Sequence, residues 1–524
     1  MSWDAIVVGS GFGGAMAAHG LVERGHRVLM IERGGWVARG PDNWGRRGAA
    51  YVTSHFSMEA PYKVDAGWWR SRTGALHCVG GQSVFYGGAS FRFRESDFED
   101  NPHIVGNSGA DWPFRYRDIE PAYSEAEELL GIAGETGVDP TEPYRSVPFP
   151  GELPPLAPPS RTIADAAMRL GLHPFQMPLA IAFGKREGRP TCMRCGTCDG
   201  YACAAEAKND IATRMIPQLI AAGMTLRTNA VVVNLVRSGS RITGVEYIDR
   251  VTGEKGMFEG RHVVVAAGSL ATPHLLLASG LDKVSPASQA VGRYLIRHCN
   301  TMVFGLFGRA LNAAHEFDKQ VAIHDFYHGV TEAGAPPGPL GSLQQLTPPL
   351  GLVRAHLPTI MHLPATVFLS RASGLLAMAE DQPQLENGVR INRGEIDRFG
   401  MPRLDIWHRY SERDRAATNV LVKRARAVMR EAGAITTYVH PINTFSHALG
   451  TVRMGTDDRT SPLDGEGRFR GLDNLYVADG SALPRSAAVN PSLTIAANAL
   501  RIGYALARSM QPARSQRLRL PIHA

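Results

Sequence analysis

A glycine-rich turn near the start of the chain constrains its fold most strongly. An apolar run at 5–8 predicts a short buried strand, and an alanine-rich segment at 15–24 predicts a helix. The turn between them has the spacing G-x-G-x-x-G, formed by Gly9, Gly11 and Gly14. A second apolar run at 28–31 predicts another strand. Strand, turn, helix and strand in this order are typical of an α/β fold with a doubly wound parallel sheet.

The same turn predicts a dinucleotide-binding site. Glycines allow the backbone to approach a pyrophosphate, whose negative charge is favoured at a helix N-terminus. Glu32 closes the second strand about twenty residues farther on, where a carboxylate accepts a hydrogen bond from a ribose hydroxyl. The alternative is a tight turn with a purely structural role. The turn by itself does not distinguish FAD from NAD.

The bulk composition excludes several classes of protein. With 44% hydrophobic and 20% charged residues, the 524-residue chain has an ordinary globular composition and is long enough for several domains. Its net charge of +7 is modest, and we interpret the basic tail around Arg514, Arg517 and Arg519 as a solvated end rather than a nucleic-acid or membrane-surface patch. No signal-peptide pattern and no apolar run of about 18 residues is visible, which predicts no transmembrane segment. We therefore expect no nucleic-acid partner and a cytoplasmic location by default, with membrane association only through a partner.

Periodicity predicts several larger elements. Alternating runs at 231–236 and 242–248 predict a hairpin, and residues 411–432 predict one long helix. A helical stretch is expected to open at Trp112-Pro113, whereas the glycine-rich segment 34–110 is expected to be irregular.

Two further segments have the composition of ligand-binding loops. Residues 80–88 contain four glycines, which permit the backbone to press against a flat or charged ligand. The alternative is a glycine-rich loop without a ligand. Residues 268–280 begin at Gly268 and are typical of a strand end, a turn and a short helix.

The C-terminal region holds the candidates for catalysis. His447 lies in a Ser-His-Ala-Leu-Gly-Thr segment, and Asn490 precedes Pro491 and an apolar helical run. An imidazole, whose pKa is normally near neutral, is suited to accept the proton of an alcohol hydroxyl. Asn490 can hold the same oxygen, and the helix after Pro491 can direct the positive end of its dipole toward negative charge. The alternative for His447 alone is a hydrogen-bonded core histidine.

These segments together resemble the glucose–methanol–choline (GMC) oxidoreductase family over nearly the whole chain. The N-terminal motif, the 80–88 loop, the Trp112-Pro113 helix, the 268–280 signature and the 447–491 block follow one another in the family's order. The resemblance implies an FAD-dependent enzyme that removes hydride from the CH–OH group of an alcohol to flavin N5. His447 and Asn490 match the family's active-site pair, with His447 as the base.

The resemblance also implies an architecture and a set of cofactor contacts. It implies a Rossmann-like FAD-binding domain with a discontinuous α+β substrate domain, similar to p-hydroxybenzoate hydroxylase. The expected limits are 1–295 for the first part of the FAD domain, with a cysteine-rich insertion near 190–205, then 296–435 for the substrate domain and 436–524 for the return. Val232 is expected beside the adenine, and Asp479 and Gly480 near the ribityl chain and pyrophosphate. The full set of expected cofactor residues is Gly9, Gly11, Gly14, Glu32, Gly81, Ser83, Tyr86, Gly87, Val232, Gly268, Asp479, Gly480 and Pro491.

Four cysteines lie within twelve residues of one another in the spacing C-x2-C-x2-C-x4-C: Cys192, Cys195, Cys198 and Cys203. Two C-x-x-C steps that share a cysteine resemble iron–sulfur ligation, although ferredoxins usually have three residues before the last cysteine and a proline after it. The segment predicts an iron–sulfur cluster, a zinc site, or structural cysteines that are either reduced or disulfide-paired.

Several functional alternatives stay open at the level of the sequence. The substrate is a small-molecule alcohol of the sugar, sugar acid, polyol, sterol or aliphatic class, and the redox partner is oxygen, a quinone, a cytochrome or a small subunit. FAD is expected to bind non-covalently, with His77 as the alternative site of a covalent tether. Two rival functions keep FAD without net alcohol oxidation: a GMC-type lyase or photodecarboxylase, and a catalytically silent electron-transfer subunit.

Overall fold

The computed structural model describes residues 2–65, 70–184 and 190–510, so the basic tail lies outside the described residues. In chain order the strands are β1 (Trp3–Val8), β2 (Val28–Ile31), β3 (Phe56–Asp65), β4 (Arg70–Leu76), β5 (Pro174–Gln176), β6 (Thr225–Arg227), β7 (Ala230–Ser238), β8 (Arg241–Asp249), β9 (Lys255–Phe258), β10 (Gly260–Val265), β11 (Cys299–Phe307), β12 (Val321–Ile323), β13 (Gly341–Gln345), β14 (Ala372–Ala379), β15 (Gly388–Ile396), β16 (Pro402–Trp407), β17 (Ala434–Pro441) and β18 (Leu475–Val477).

The α-helices lie between and after these strands. They are α1 (Phe12–Val22), α2 (Pro102–Val105), α3 (Tyr116–Leu130), α4 (Pro158–Arg169), α5 (Ile211–Arg214), α6 (Ile216–Ala221), α7 (Ala271–Ala278), α8 (Leu350–Ala355), α9 (His362–Ser370), α10 (Glu412–Glu431) and α11 (Ser492–Ser509). Within the described ranges, no helix combines the length and the hydropathy needed to cross a bilayer.

The sheet that carries the glycine turn is parallel, with the strand order β18-β10-β1-β2-β6. β2 and β18 are buried along their whole length, as expected for a parallel sheet that is covered on both faces. The strands come from both ends of the chain, because β18 returns to the sheet after more than two hundred residues. The structure confirms the predicted α/β class with a discontinuous parallel sheet.

Helices α1 and α11 pack closely against each other, because glycines at the contact allow the two backbones to approach. A Cβ atom added to Gly20 would lie 2.9 Å from the carbonyl carbon of Gly503, and one added to Gly503 would lie 2.5 Å from the Ala17 oxygen. α1 begins at the glycine turn and α11 begins just after Asn490. This contact therefore positions the N-termini of two helices that carry predicted site residues.

The second large sheet is antiparallel, with the strand order β17-β11-β14-β13-β12-β5. One face packs against α10 through a core cluster that includes Leu375 and Leu421. On the opposite face Met302 is buried in a separate small cluster, and the Ser342 hydroxyl donates to the Ala488 carbonyl over 2.7 Å. The face turned away from α10 is thus tied to the segment that leads to Asn490.

Several predicted elements are confirmed, and two segments differ from expectation. α10 and the antiparallel pair β7–β8 confirm the predicted helix and hairpin. The segment 34–110, expected to be irregular, contains the β3–β4 hairpin. Pro61 within this run argues against a strand, and the pairing is indeed irregular between Ser57 and Tyr62. The helix expected from Trp112-Pro113 begins at Tyr116.

The predicted domain limits stay a prediction, but the sheets show where the chain crosses between them. β5 comes from the part of the chain assigned to the first domain, yet it pairs with β12 of the antiparallel sheet. β17 ends at Pro441, six residues beyond the expected boundary at 435.

A buried ion pair joins the antiparallel sheet to the segment that leads to Asn490. Arg485 contacts both carboxylate oxygens of Glu380 at 3.0 Å, and each side chain is 1% exposed. The third guanidinium nitrogen of Arg485 donates to the carbonyls of Asp97 and Glu99 at 2.9 and 2.8 Å. The guanidinium therefore connects three chain segments inside the protein.

Replacement of this arginine should destabilise the fold strongly. Arg485→Met leaves the Glu380 carboxylate buried without its partner, and we expect the free energy of unfolding to fall by about 3–5 kcal/mol. Arg169→Met is a matched control, because Arg169 forms an ion pair with Glu431 in which both side chains are largely exposed, and about 0–1 kcal/mol is expected there. Chemical denaturation of both variants measures the difference. Equal losses would contradict the role of the buried pair.

Candidate active site

The glycine turn between β1 and α1 leaves one glycine facing open space. Gly9 has a φ of +102°, and a Cβ atom there would lie 2.4 Å from the Ala266 oxygen at the end of β10. A Cβ atom on Gly14 would lie 1.9 Å from the Gly9 oxygen. By contrast, a Cβ atom on Gly11 would meet no atom within 4 Å. The turn is therefore packed tightly against the protein on one side and open at Gly11 on the other.

Glu32 lies at the end of β2, where both of its carboxylate oxygens are held by neighbouring loops. One oxygen accepts from the Ser10 hydroxyl and amide at 2.6 and 3.1 Å, and the other accepts from the Gly34 amide at 2.8 Å. Burial raises the pKa of Glu32 above its usual value, while the hydrogen bonds from Ser10 and Gly34 oppose that change. A carboxylate offers about four lone-pair sites, so about one is left for a ribose hydroxyl.

The 80–88 loop meets the glycine turn directly. The Gly80 amide donates to the Ser10 hydroxyl over 3.0 Å, and a Cβ atom on Gly81 would lie 3.3 Å from the Gly11 Cα. The Ser83 hydroxyl donates to the Gly80 carbonyl and accepts from the Ile211 amide. These contacts form one wall of the open space at Gly11.

Tyr86 and Gly87 continue this wall. The Tyr86 hydroxyl donates to the Asn209 carbonyl over 3.0 Å, and its ring contacts Phe12 edge to face. A Cβ atom on Gly87 would lie 2.0 Å from an Asp199 carboxylate oxygen and 2.1 Å from the Lys319 ammonium nitrogen. Asp199 and Lys319 form an ion pair at 2.7 Å, so a charged pair lies against the backbone of this loop.

Asp479 links the ends of β10 and β18. One carboxylate oxygen accepts from the Gly268 amide and the Thr272 hydroxyl at 2.8 and 2.5 Å, and the other accepts from the Ser481 amide and hydroxyl. All four contacts are internal, so Asp479 shapes the turn at Gly268 and Gly480. The backbone just before it is also packed on the glycine turn, because a Cβ atom on Gly13 would lie 2.0 Å from the Ala478 oxygen.

Val232 lies on β7 at the far end of this region. Its side chain is half-buried, and it pairs with Tyr247 across the β7–β8 hairpin. The Ala230 amide at the start of β7 donates to the Glu32 carbonyl over 3.0 Å. β7 therefore begins beside Glu32, where the ribose is expected, and extends away from it toward Val232.

His447 is half-buried in the turn before Leu449, and its ring contacts a second histidine. The Nδ1 atoms of His447 and His298 are 3.1 Å apart, and the rings meet edge to face at 5.2 Å. Burial, with smaller contributions from the neighbouring His298 and Lys319, lowers the pKa of His447 to about 3. The imidazole is consequently neutral across the physiological range.

Asn490 and Pro491 lie immediately before α11. The Asn490 side-chain oxygen is buried and has no hydrogen-bond partner among the described residues. Pro491 caps α11, and the Ser492 hydroxyl donates to the Ala89 carbonyl next to the 80–88 loop. An orphaned buried carbonyl oxygen costs about 1–3 kcal/mol, so this position is prepared for a ligand that donates a hydrogen bond.

The fold does not bring the four cysteines, all of which lie within the described residues, together as a set of metal ligands. All four are free thiols, which excludes the disulfide-paired alternative in this structure. Across the described ranges, groups of three potential ligand atoms within 4.8 Å of one another include no cysteine. Burial raises the pKa of Cys192 to about 11 and that of Cys198 well above its usual value. The structure therefore does not support an iron–sulfur cluster. Cys78 and Cys299 are isolated and buried, as predicted.

The backbone of the cysteine segment is held against the 80–88 loop by Lys208. This lysine is 1% exposed, and its ammonium donates to the carbonyls of Tyr86, Cys198 and Tyr201 at 2.7, 2.9 and 2.7 Å. Burial lowers the pKa of Lys208, although the negative charge of Asp210 opposes this change. The segment thus contacts the 80–88 loop through Lys208 and Asp199.

Comparison with known proteins identifies the family. The N-terminal part of the GMC oxidoreductase family matches residues 4–300, and its C-terminal part matches residues 383–499. The chain belongs to the GMC oxidoreductase family. It is 31% identical to 6'''-hydroxyparomomycin C oxidase of Streptomyces lividus, over 96% of this chain and 91% of that protein. It is 28% identical to 2-methyl-1,2-propanediol dehydrogenase of Mycolicibacterium austroafricanum, over 98% of this chain and 97% of that protein.

A solved structure shows the same fold. Formate oxidase from Aspergillus oryzae superposes with a TM-score of 0.67 at 14% sequence identity, over 97% of this chain and 98% of that one. As a GMC oxidoreductase, this protein is a flavin-dependent enzyme that acts on CH–OH donors. The open space at Gly11 and the orphaned Asn490 oxygen fit the FAD that the family implies and a substrate beside it.

Three residues of this region were not predicted from the sequence: His298, Lys319 and Asp199. Each is brought to the site by tertiary contacts, since His298 contacts His447 and the Asp199–Lys319 pair contacts Gly87. Neither His298 nor Lys319 stands in a recognisable motif. Asp199 follows Cys198 directly, in a segment whose only recognisable pattern is the spacing of its cysteines.

The open position at Gly11 allows a selective test of cofactor binding. Gly11→Ala should fold normally, because φ is −73° and the new methyl group meets no protein atom, yet it places that methyl group where a pyrophosphate would lie. We expect a lower flavin content at unchanged secondary structure. Gly45→Ala is the control, since its Cβ also meets nothing and lies outside the site. Measurement of the flavin-to-protein absorbance ratio decides, and equal flavin content in both variants would contradict this placement.

Proposed function

We propose that this enzyme oxidises a neutral alcohol, with His447 accepting the hydroxyl proton and Asn490 orienting the reacting oxygen. The observation that supports the proposal most strongly is a neutral imidazole and an unpartnered amide oxygen on the two segments that flank the flavin region. An imidazole must be unprotonated to accept a proton, and burial keeps His447 in that form. Asn490 holds the reacting oxygen by donating from its amide nitrogen, and its unpartnered side-chain oxygen accepts from a second donor of the ligand.

The chemistry requires that two hydrogens leave the alcohol. His447 takes the proton from the hydroxyl oxygen, and the carbinol carbon loses its hydrogen with the electron pair, so that a carbonyl product forms. FAD, when bound, supplies the acceptor for that hydride. The N-terminus of α11 lies next to Asn490, and its dipole favours negative charge in this region.

The substrate class follows from the sheet face turned away from α10. Cross-strand pairs place Met302 beside Leu376, Leu376 beside Gln344, and Met378 beside Ser342 on this face. Asn300 pairs with Met378 and His440 pairs with Met302 on the same face, so the face mixes apolar side chains with uncharged polar ones and has no carboxylate at these positions. Asp199 is already paired with Lys319. We infer that the substrate has an uncharged, partly apolar body rather than an ammonium group next to its hydroxyl.

Loss of the base should slow the reductive half-reaction. His447→Ala should retain FAD but reduce the rate of anaerobic flavin bleaching by an alcohol about 10²–10⁴-fold, the usual range for a lost general base. Asn490→Ala should also slow bleaching and weaken substrate binding. The exposed His173, paired with Asp325, provides a control in His173→Ala. Bleaching of His447→Ala at the wild-type rate would remove this residue as the base.

The neutral state of His447 predicts an unusual pH profile. A histidine with a pKa of about 3 stays unprotonated well below neutrality, so its catalytic form is lost only as the pH falls toward 3. We expect the limiting rate of anaerobic flavin reduction to be nearly constant from about pH 5.5 to about pH 8.5. An ordinary histidine would instead produce an acid limb near its reference pKa of about 6.5. Stopped-flow measurements across this range would disprove the assignment if such a limb appeared and depended on His447.

The inferred substrate class can be tested with two alcohols of the same shape. The first is 2-methyl-1,2-propanediol, which appears in the name of one relative. The second is 2-amino-2-methyl-1-propanol, in which an ammonium group replaces the tertiary hydroxyl. Burial of an ammonium group without a free carboxylate is costly, so we expect at least about tenfold slower flavin reduction per unit concentration with the amino alcohol. The reverse order would contradict the uncharged-substrate inference without affecting the role of His447.

A further inference from the structure

His298 is held by hydrogen bonds at every polar atom. Its amide donates to Asp381 over 3.1 Å, and its carbonyl accepts from the Tyr410 hydroxyl over 2.7 Å. Its ring nitrogens contact the Ser486 carbonyl at 2.8 Å through Nε2 and His447 Nδ1 at 3.1 Å through Nδ1. The side chain is 0% exposed. The ring orientation is therefore determined by the protein itself.

The backbone at His298 is also unusual. Its φ is +63°, in the left-handed region that non-glycine residues seldom adopt. Asp381 stabilises this conformation, since its two oxygens accept from the amides of Arg297 and His298. The same carboxylate accepts from the Ser486 hydroxyl over 2.8 Å. Asp381 thus holds both the backbone of His298 and the residue whose carbonyl contacts its ring.

The hydrogen-bond pattern determines where the protons lie. A carbonyl oxygen only accepts, so His298 Nε2 must carry a hydrogen toward Ser486. His298 is neutral because burial lowers its pKa, although Asp381 opposes this change. Its Nδ1 is then a lone-pair acceptor, and His447 must supply the hydrogen between the two Nδ1 atoms. The hydrogen of neutral His447 therefore lies on Nδ1, and its Nε2 is bare.

We propose that His298 is a positioning residue that holds His447 in the one tautomer whose Nε2 can accept the substrate proton. This inference rests on the proposed function of His447 and explains how a neutral histidine presents a free lone pair. The acidic and basic groups around the pair are Asp381 and Glu380 near His298, with Lys319 near His447. Among the hydrogen bonds of the described residues, the His447 ring takes part through Nδ1, which leaves its Nε2 available to a substrate.

The tautomer can be observed without catalysis. In flavin-loaded protein labelled with nitrogen-15 histidine, the ring resonances of His447 are assigned by their loss in His447→Gln. We expect a protonated Nδ1 and an unprotonated Nε2 at neutral pH. A protonated Nε2 in the wild-type protein would overturn the proposal directly, whatever the variants do.

A matched pair of variants tests whether His298 determines the tautomer of His447. His298→Asn places a side-chain oxygen near the position of Nδ1 and suits a left-handed backbone, so it should retain the His447 tautomer and reduce flavin within about tenfold of the wild-type rate. His298→Leu removes the acceptor at similar volume. It should give a mixture of tautomers and a rate at least about 10²-fold lower, since a base held in the wrong tautomer loses up to about 10⁴. Flavin content and thermal unfolding show whether each variant is folded.

The outcomes separate this inference from the proposed function. An unchanged tautomer and rate in folded His298→Leu, with a slow His447→Ala, would overturn the role of His298 and leave His447 as the base. An unchanged rate in His447→Ala would overturn the proposed function itself. Equal losses in the Asn and Leu variants at an unchanged tautomer would show that His298 is merely structural. If the Leu variant does not fold, the wild-type resonances and the Asn variant still decide.

Discussion

Close backbone packing around the glycine turn is the constraint on which the rest of the structure depends. A side chain at Gly9 would overlap the end of β10, and one at Gly13 would overlap the turn after β18. These contacts join strands from the two ends of the chain into one parallel sheet. Because the chain returns to this sheet through β18, the C-terminal segment with His447 and Asn490 lies close to the glycine turn, where the pyrophosphate is expected.

Two buried carboxylates then fix the loops around this packing. Glu32 accepts from the loops at Ser10 and Gly34, and Asp479 accepts from those at Gly268 and Ser481. Each buried carboxylate loses its hydration, and amide and hydroxyl donors replace it. Their energetic role is therefore to connect loops as well as to face a ligand. This explains why acidic residues at strand ends are useful in such a site even when their oxygens are mostly occupied.

The reactive part of the site is governed by burial rather than by charge pairing. His447 and His298 both have lowered pKa values because burial penalises their charged forms. Two neutral imidazoles in contact must order their protons, and a single backbone carbonyl at Ser486 determines that order. The same logic explains the cysteine segment, in which buried thiols stay protonated and the neighbouring Asp199 provides the charge that reaches the site.

The sequence by itself determined the local features, and the tertiary structure decided which distant residues contact one another. The strand–turn–helix at the start, the β7–β8 hairpin and α10 were all predictable because their signals lie within short windows of the chain. His447 and Asn490 were predictable as candidates because their neighbours resemble a family. No local pattern marks His298 or Lys319. The cysteine spacing suggested a metal site, but the fold does not bring those cysteines together as ligands. Contacts between residues more than a hundred positions apart depend on how the sheets pack, which no local periodicity records.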